Sequence, residues 1–531
     1  MSAPTAESGA GQGQRTPSAG APQTTPLQES IIAGAVALVV YALTLSKDVG
    51  LDDGLFAMSV DAFLQGKGMW WGFVHPHHPL YNPLIALCTW VGRMAVHWLP
   101  VLDVGAAVSA VFGSLAVGGT VHLLRRRGIP SAYGLLTAGA LIVTGGFWMF
   151  SIRTEVYTMT AVAVVVWLSA VSDRRERPLL IGATLAAAIV SHVAAGLLVV
   201  PTIWRLRHHR RDLAVSVGLA IGVSGTLIYV LIAATHGAWS PGAWLDVVAP
   251  RTQYDDFVRP SVSALGSALH KFIVADGYHR VPFFTETGTA VLDALGAAAT
   301  GLAAFLFAYG AWVTLRRRFL IGTVALVGCA AYLPLWFLWD AGNVEHVVVA
   351  GPLFAVVVAA GALGARRRTI AFGLVALVAV LALVNGVGTA VPQSRVENSP
   401  ERVLAWFLSE NTSESAVILT AGTDVRFRWA VAYIAGRRFK DLALMRANLG
   451  ASSDRSIVLD GWTRTAGDVQ EVWALPDVFA PEGRELATRL GFQPEDWNHA
   501  VSRLEPVRTQ TLPADGVVIR KDLVLTRVRL R

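Results

Sequence analysis

Charge is scarce in this chain. Asp, Glu, Lys and Arg supply 15% of its 531 residues, against about a quarter in an ordinary soluble domain. That balance excludes a water-exposed globular surface over most of the length. Cysteine is rarer still, with Cys88 and Cys329 the two present. Cys329 falls inside an apolar run, which argues against a disulfide framework and against a cysteine metal site. The basic excess of +7 does not point to nucleic acid, because the arginines come in short clusters between apolar runs, the pattern of membrane topology signals. In place of charge there is hydrophobicity, at 53% of residues and a mean hydropathy of +0.50. Apolar runs of about 17 to 25 residues, the length that crosses a hydrocarbon core, recur up to position 390 or so. One all-α polytopic membrane domain is expected.

The arginine clusters lie at residues 125–127, 174–177, 205–211, 316–318 and 366–368. If all of them face the cytoplasm, an even number of crossings must separate neighbouring clusters. Two spans fit between Arg127 and Arg174, meeting near Arg153-Thr154-Glu155. Two short ones between Arg177 and Arg205 turn near His192. A span from Asp212 to Thr235, a polar stretch and a return to Arg316 form the next pair, and the last pair meets at residues 340–346. With a first span at 31–46 and a last at 370–391, roughly eleven transmembrane helices are expected. The protein would be a multi-pass plasma-membrane protein with a cytoplasmic amino terminus. Nearly every loop carboxylate then lies outside, while the inner loops keep Asp173, Glu176 and Asp212.

Three regions follow from composition. Residues 1–30, rich in Ser, Gly, Ala, Pro and Gln, are expected to be disordered and cytoplasmic. Residues 31–391 form the membrane domain. Residues 392–531 change character, with strand-like runs at 416–420, 442–445, 456–459, 469–475 and 523–528 and helical patterns at 402–409 and 426–435. These predict a small α/β domain on the extracytoplasmic side.

The chemistry-bearing residues cluster at one end of the spans. Leu51-Asp52-Asp53-Gly54 follows the first span directly, and His75-Pro76-His77-His78-Pro79-Leu80-Tyr81 comes soon after. Ionisable groups at a membrane boundary are functional candidates. The segment 79–100 is apolar enough to cross, yet the topology leaves it no place as a span. Its Asn82, Thr89, Arg93 and His97 fall on one helical stripe, so an interfacial helix facing a wet cavity is expected. Asp340, Glu345 and His346 form a second acidic group; a divalent metal there stays open, since four convergent ligands are not evident, and no cofactor is otherwise implied.

Read in order, the first span, Asp52-Asp53-Gly54-Leu55-Phe56, the His-Pro turn with Leu80-Tyr81, and Glu155-Val156-Tyr157 at the outer end of the third span resemble the GT-C superfamily of integral membrane glycosyltransferases. The likeness is strongest to the branch of protein O-mannosyltransferases and lipid A aminoarabinose transferases. Ser191-His192 and the tail run Ala416-Val417-Ile418-Leu419-Thr420 with Gly422-Thr423-Asp424 are similar to further motifs of one subfamily. The turn departs from the usual His-Pro-Pro, and Leu55 stands where that subfamily often has an acid.

The resemblance implies a GT-C-like fold and transfer of a hexosyl or pentosyl unit from a polyprenyl-phosphate carrier to an extracytoplasmic acceptor, be it protein, lipid or cell-wall glycan. An acceptor hydroxyl loses its proton as it attacks, so a carboxylate within reach can act as general base. Asp52 matches the family's first acid and is the candidate, with Asp53 and Glu155 beside it. A departing phosphate needs donors, for which His75, His78, His192, Arg93 and Arg153 are available. Tyr81, Tyr157, Asp340, Glu345 and His346 complete the expected substrate-binding set. The alternative function is a transporter or flippase of a lipid-linked or small polar substrate; it would keep acids within its spans, whereas a transferase gathers them at one face.

Overall fold

The computed structural model describes residues 24–67, 73–173, 175–248, 262–275, 286–338, 344–422, 430–443, 445, 455–469, 471–512 and 523–530. Helix α1 (Pro26–Leu43) opens on a capping box, with Thr25 Oγ accepting from Gln28 N at 3.2 Å and Gln28 Oε1 accepting from Thr25 N at 2.8 Å. Residues 26–30, expected to be disordered, are therefore helical. Glu29, buried in this first turn, is paired to Arg125 Nε at 2.6 Å. That contact ties the start of α1 to the end of α4 (Val101–Arg126), beside the first arginine cluster. The two helices run in close contact, Ser30 Oγ donating to Gly118 O at 2.7 Å. A Cβ at Gly118 would sit 2.8 Å from Ser30 O, so only glycine permits this approach.

Between them in sequence lie two helices that are not among the candidate spans. Helix α2 (Leu51–Leu64) carries the acidic pair in its first turn. Helix α3 (Tyr81–Ala95) covers the segment expected to be interfacial and is not among the helices apolar enough to count as candidate spans. Three of its four stripe residues turn into the protein, and His97, just beyond the helix, is exposed. Asn82 and Thr89 are buried against the protein and Arg93 is half-buried, while Leu87, Trp90, Val91, Met94 and, just beyond, Trp98 are exposed. The wet-cavity expectation is thus inverted. An apolar face can be outermost where lipid covers it, and on the inner side Arg93 meets Asp61 at 2.9 Å while Thr89 Oγ1 is buried without a partner.

Helices α5 (Ser131–Val143) and α6 (Gly145–Ser151) form an apolar pair bent by 68° at Thr144. Helices α7 (Tyr157–Val171) and α8 (Pro178–Ser191), a 3-10 turn leading into α9 (Val199–Leu206), and α10 (Arg210–His236) follow. After α11 (Pro241–Val248) and α12 (Val262–Ile273) come α13 (Glu286–Arg317), α14 (Leu320–Leu338), the short α15 (Glu345–Val349), α16 (Gly351–Ala360) and α17 (Arg367–Leu381). Among the described residues, six helices are long and apolar enough to cross a membrane, seven with the bent pair. Four shorter apolar helices, Tyr157–Val171, Pro178–Ser191, Val193–Leu206 and Gly351–Leu363, accompany them.

The break in the α5–α6 span exposes backbone groups that must be paired where water is absent. Asn385, buried in a π-helical stretch (Ala382–Ala390), pairs one of them and two more at the end of the helix Val262–Ile273. Its Nδ2 donates to Val143 O at 2.7 Å and to Ile273 O at 2.9 Å, and its Oδ1 accepts from Ala275 N at 2.8 Å.

The tail forms an α/β unit. Strand β1 (Val417–Thr420) runs parallel to β2 (Arg438–Asp441) and β3 (Val472–Ala474); β5 (Leu523–Leu530) is antiparallel to both β3 and β4 (Leu504–Leu512), in the order β2-β1-β3-β5-β4. Alternate residues of β1 enter two cores, Val417 and Leu419 on one face, Ala416 and Ile418 on the other. The run 456–459, expected as a strand, belongs to a helix (Arg455–Asp468) that buries Val458, Leu459, Trp462 and Ala466. A four-residue apolar run does not distinguish a strand from one helical face. The expected strand at 442–445 ends instead at Asp441, and half-exposed β4 carried no apolar signal.

Candidate active site

The site is built from helix ends that meet beside α2. Gly50 caps α2, and Asp53 reaches back to accept from Gly50 N at 2.6 Å. That bond turns Asp53 into the protein, where it is 2% exposed. Asp52, one residue earlier on the helix, points elsewhere. It is half-buried and makes no hydrogen bond among the described residues.

The turn between α6 and α7 supplies Arg153 and Glu155. Ser109 of α4 fixes this turn, donating to Glu155 O at 2.9 Å and accepting from Glu155 N at 3.1 Å, while the Tyr81 hydroxyl lies 2.9 Å from Ser109 Oγ. Tyr81 is wholly buried, so it supports the turn from beneath. The Glu155 carboxyl is buried, and its Oε2 has no hydrogen-bond partner. Arg153 is committed. Its guanidinium donates to Asp48 Oδ2 at 2.6 Å and to Gln393 Oε1 at 3.0 Å. Beyond it, Tyr157 at the start of α7 donates to Glu345 Oε2 at 2.7 Å and so brings α15 to the same place.

An array of imidazoles lines another side. The His75 and His78 rings stack at 4.2 Å; His78 and His192 are 6.1 Å apart, and His192 and His346 5.8 Å. Tyr157 lies 5.3 Å from His192, and His77 lies 5.1 Å from His75. His77 O accepts from Val193 N at 2.9 Å, which fastens the His-Pro turn to the break after α8.

Burial dominates the electrostatics, since removal from water disfavours any charged form. Burial, then Glu345 and Asp53, pushes the Asp52 carboxyl up to about 7. Burial also raises Asp53, against the opposing field of Arg153. Glu155 is raised well above the carboxylate range by burial and by Asp53, Asp52 and Glu345. For Arg153 the cost of burial is outweighed by the facing carboxylates, Asp48 and Asp53 first, and it stays charged. His75, His78 and His192 are all held low by burial and by the neighbouring imidazoles.

Of the expected site residues, the structure brings together Asp52, Asp53, Glu155, Arg153, Tyr157, His75, His78, His192, Glu345 and His346. Arg93 is not among them. It lies at the far end of α3, held by Asp61 at 2.9 Å and by Leu99 O at 3.1 Å. Asp340 lies outside the described residues. Sequence reading missed Asp48, Gln393, Ser109 and His77, whose roles depend on partners up to 240 positions away. Among the described residues, three ligand-type side chains close enough to share a metal occur at Glu176, His209 and Asp212, by the arginine-rich loops rather than here, and there Arg205 already pairs with Glu176 at 2.7 Å.

No protein-family model matches the chain, and no curated protein matches it by sequence. Solved structures do match. The chain is similar to ArnT from Cupriavidus metallidurans bound to undecaprenyl phosphate, with a TM-score of 0.59 and 13% identity over 93% of this chain and 97% of that one. Its apo state matches with a TM-score of 0.58 over the same shares. The mycobacterial arabinofuranosyltransferase AftD matches with a TM-score of 0.54 and 14% identity over 94% of this chain and 40% of that much longer one. The chain therefore shares the fold of these solved structures.

Proposed function

We propose that the protein is a membrane glycosyltransferase that moves a sugar from a polyprenyl-phosphate carrier to an acceptor outside the cytoplasm, with Asp52 as general base. The observation that carries this reading is the contrast within the acidic pair. Asp53 Oδ2 accepts from Gly50 N and the whole side chain is sealed, its Oδ1 buried without a partner, whereas the Asp52 side chain is half-buried and has no hydrogen bond among the described residues. A carboxylate raised by burial, close to the operating pH and free of partners, suits abstraction of a hydroxyl proton.

The shared fold supports the carrier class, as the ArnT neighbour holds undecaprenyl phosphate. An apolar cavity of about 360 Å³ next to the site suits the first isoprene units; its lining includes Leu141, Phe272, Phe307, Trp336, Gly351 and Phe354. Gly351 follows Glu345 and His346 by little more than one helical turn, so a tail in the cavity would leave its phosphate among the imidazoles. Glu155 and Tyr157 with Glu345 would position acceptor and sugar. The seven long spans and four shorter helices agree with eleven crossings, which would put the site and the α/β domain outside, the latter over the site to receive the acceptor. That domain rests on the helices by Arg402, whose Nε donates to Lys47 O at 2.7 Å.

The test is to incubate purified protein in detergent with labelled polyprenyl-phosphate sugars and follow transfer to endogenous lipid, glycan or protein. Asp52→Asn keeps the shape but removes the proton acceptor, so turnover should fall roughly 100-fold or more while donor-lipid binding survives. Near-normal transfer by this variant would rule Asp52 out as the base.

A further inference from the structure

Away from the imidazoles, an open groove of about 520 Å³ runs between α3 and the first turns of α4. Leu84 and Cys88 line it from α3, and Val104, Ala107, Val108 and Val111 from α4. The four α4 residues are spaced by 3, 1 and 3 positions, so they form one stripe of the helix. Ala107 and Val111 are exposed, which leaves the groove open to whatever surrounds the helices. From Asp103 to Val111 the stripe is about 12 Å long at the usual helical rise, room for a stretch of hydrocarbon chain.

One end of the groove is charged. Asp103 lines it there, with Lys47 Nζ at 3.2 Å and Arg402 Nη2 at 3.7 Å from the same carboxylate oxygen. Two cations share one carboxylate, so this end keeps a single positive charge in excess, and all three side chains stay partly exposed. The neighbouring ion pairs are matched, Arg93 with Asp61 at 2.9 Å and Arg153 with Asp48 at 2.6 Å. The tail meets the helices at the same place. Arg402 belongs to its first long helix (Pro400–Asn411) and its Nε donates to Lys47 O at 2.7 Å, while the Tyr433 side chain faces Asp61, Arg93 and Asp103.

We infer that the groove holds an acyl chain of an anionic glycerophospholipid whose phosphodiester sits at Lys47 and Arg402, so that the lipid ties the tail to the membrane helices. Apolar area holds the chain and the excess cation selects the headgroup. A phosphodiester with a neutral headgroup carries one negative charge, which matches the one positive charge in excess. A zwitterionic phospholipid brings a cation of its own, and the monophosphate of a polyprenyl carrier brings more negative charge than this end offsets. The inference stands apart from the glycosyltransferase reading and needs no group of the candidate active site.

Cys88 is a built-in probe, because it lines the groove and is half-buried whereas Cys329 is buried. The full chain in detergent is treated with N-ethylmaleimide, and modification of Cys88 is followed by peptide mass spectrometry with phosphatidylglycerol, phosphatidylcholine or undecaprenyl phosphate added. Excess phosphatidylglycerol should slow the modification roughly tenfold or more, and the other two lipids less than about threefold. Lys47→Gln removes the excess charge and should bring phosphatidylglycerol down to the level of phosphatidylcholine. Asp103→Asn removes the competing carboxylate and should keep or strengthen the protection; a Lys47–Asp103 pair that served folding alone would make the two variants behave alike. Equal protection by phosphatidylcholine and phosphatidylglycerol, strongest protection by undecaprenyl phosphate, or a Cys88 already inert without lipid would each overturn the inference. The comparison of lipids needs only the unaltered protein, so a variant that fails to fold does not leave the matter open.

Discussion

Asp52 and Asp53 are adjacent acids on one helix, and their chemistry differs because a helix turns by about 100° per residue. One becomes an N-terminal cap and the other an unpaired carboxylate. The rate of transfer should follow from this. Burial raises Asp52 to about 7, and a base works only when deprotonated, so kcat/KM should climb with pH through that region and level off above it. A pH series on wild type and Asp52→Asn checks this, since the residual rate of the variant should lack the climbing limb; an unchanged limb assigns it to another group. Asp53→Asn should cost less turnover, and its loss should show in the melting temperature, because the variant keeps a side chain at the cap but removes the charge that faces Arg153. Glu155→Gln should weaken substrate positioning, read as a raised KM with little change in kcat.

Breaks in helices do more here than the helices themselves. The site consists of the start of α2, the turn after α6, the start of α7, the break after α8 and the short α15, which meet through contacts such as Tyr157 to Glu345 and His192 to His346. Asn385 shows what such breaks require. Asn385→Ala would leave Val143 O, Ile273 O and Ala275 N unpaired and should cost about 2–4 kcal/mol. Thermal unfolding in detergent measures it, and an unshifted midpoint would mean that water enters the break. The exposed face of α3 makes a second prediction at this scale. A cysteine at Val91, bathed in lipid, and one at Thr89, sealed inside, should both resist a water-soluble thiol reagent, whereas one at His97 should react. Labelling of the Thr89 position would restore the wet cavity that the sequence pattern suggested.

For the entire chain the decisive quantity is which side each end occupies. Glu29 paired to Arg125 puts the start of α1 and the first arginine cluster at one end, and the acids of the site are at the other. A reporter fused after Arg531 should be active outside the cell, and one fused after Arg127 in the cytoplasm. A cytoplasmic carboxyl terminus would sink the arrangement, since it needs an odd number of crossings more or fewer.

The apolar helices, the arginine clusters between them and the grouping of Asp52, Glu155 and the His-Pro turn could be read from the linear chain, because hydrocarbon thickness and charge placement act on local composition. The strand at 416–420 was equally legible, its burial following its own hydrophobicity. Where partners are far apart in sequence the reading failed. The burial of Asn82 and Thr89 on α3, the helix at 455–468, and the capture of Arg93 by Asp61 and of Arg153 by Asp48 and Gln393 all depend on which groups fold against which. A residue's composition sets what it can bond; packing alone settles which bonds remain for a substrate.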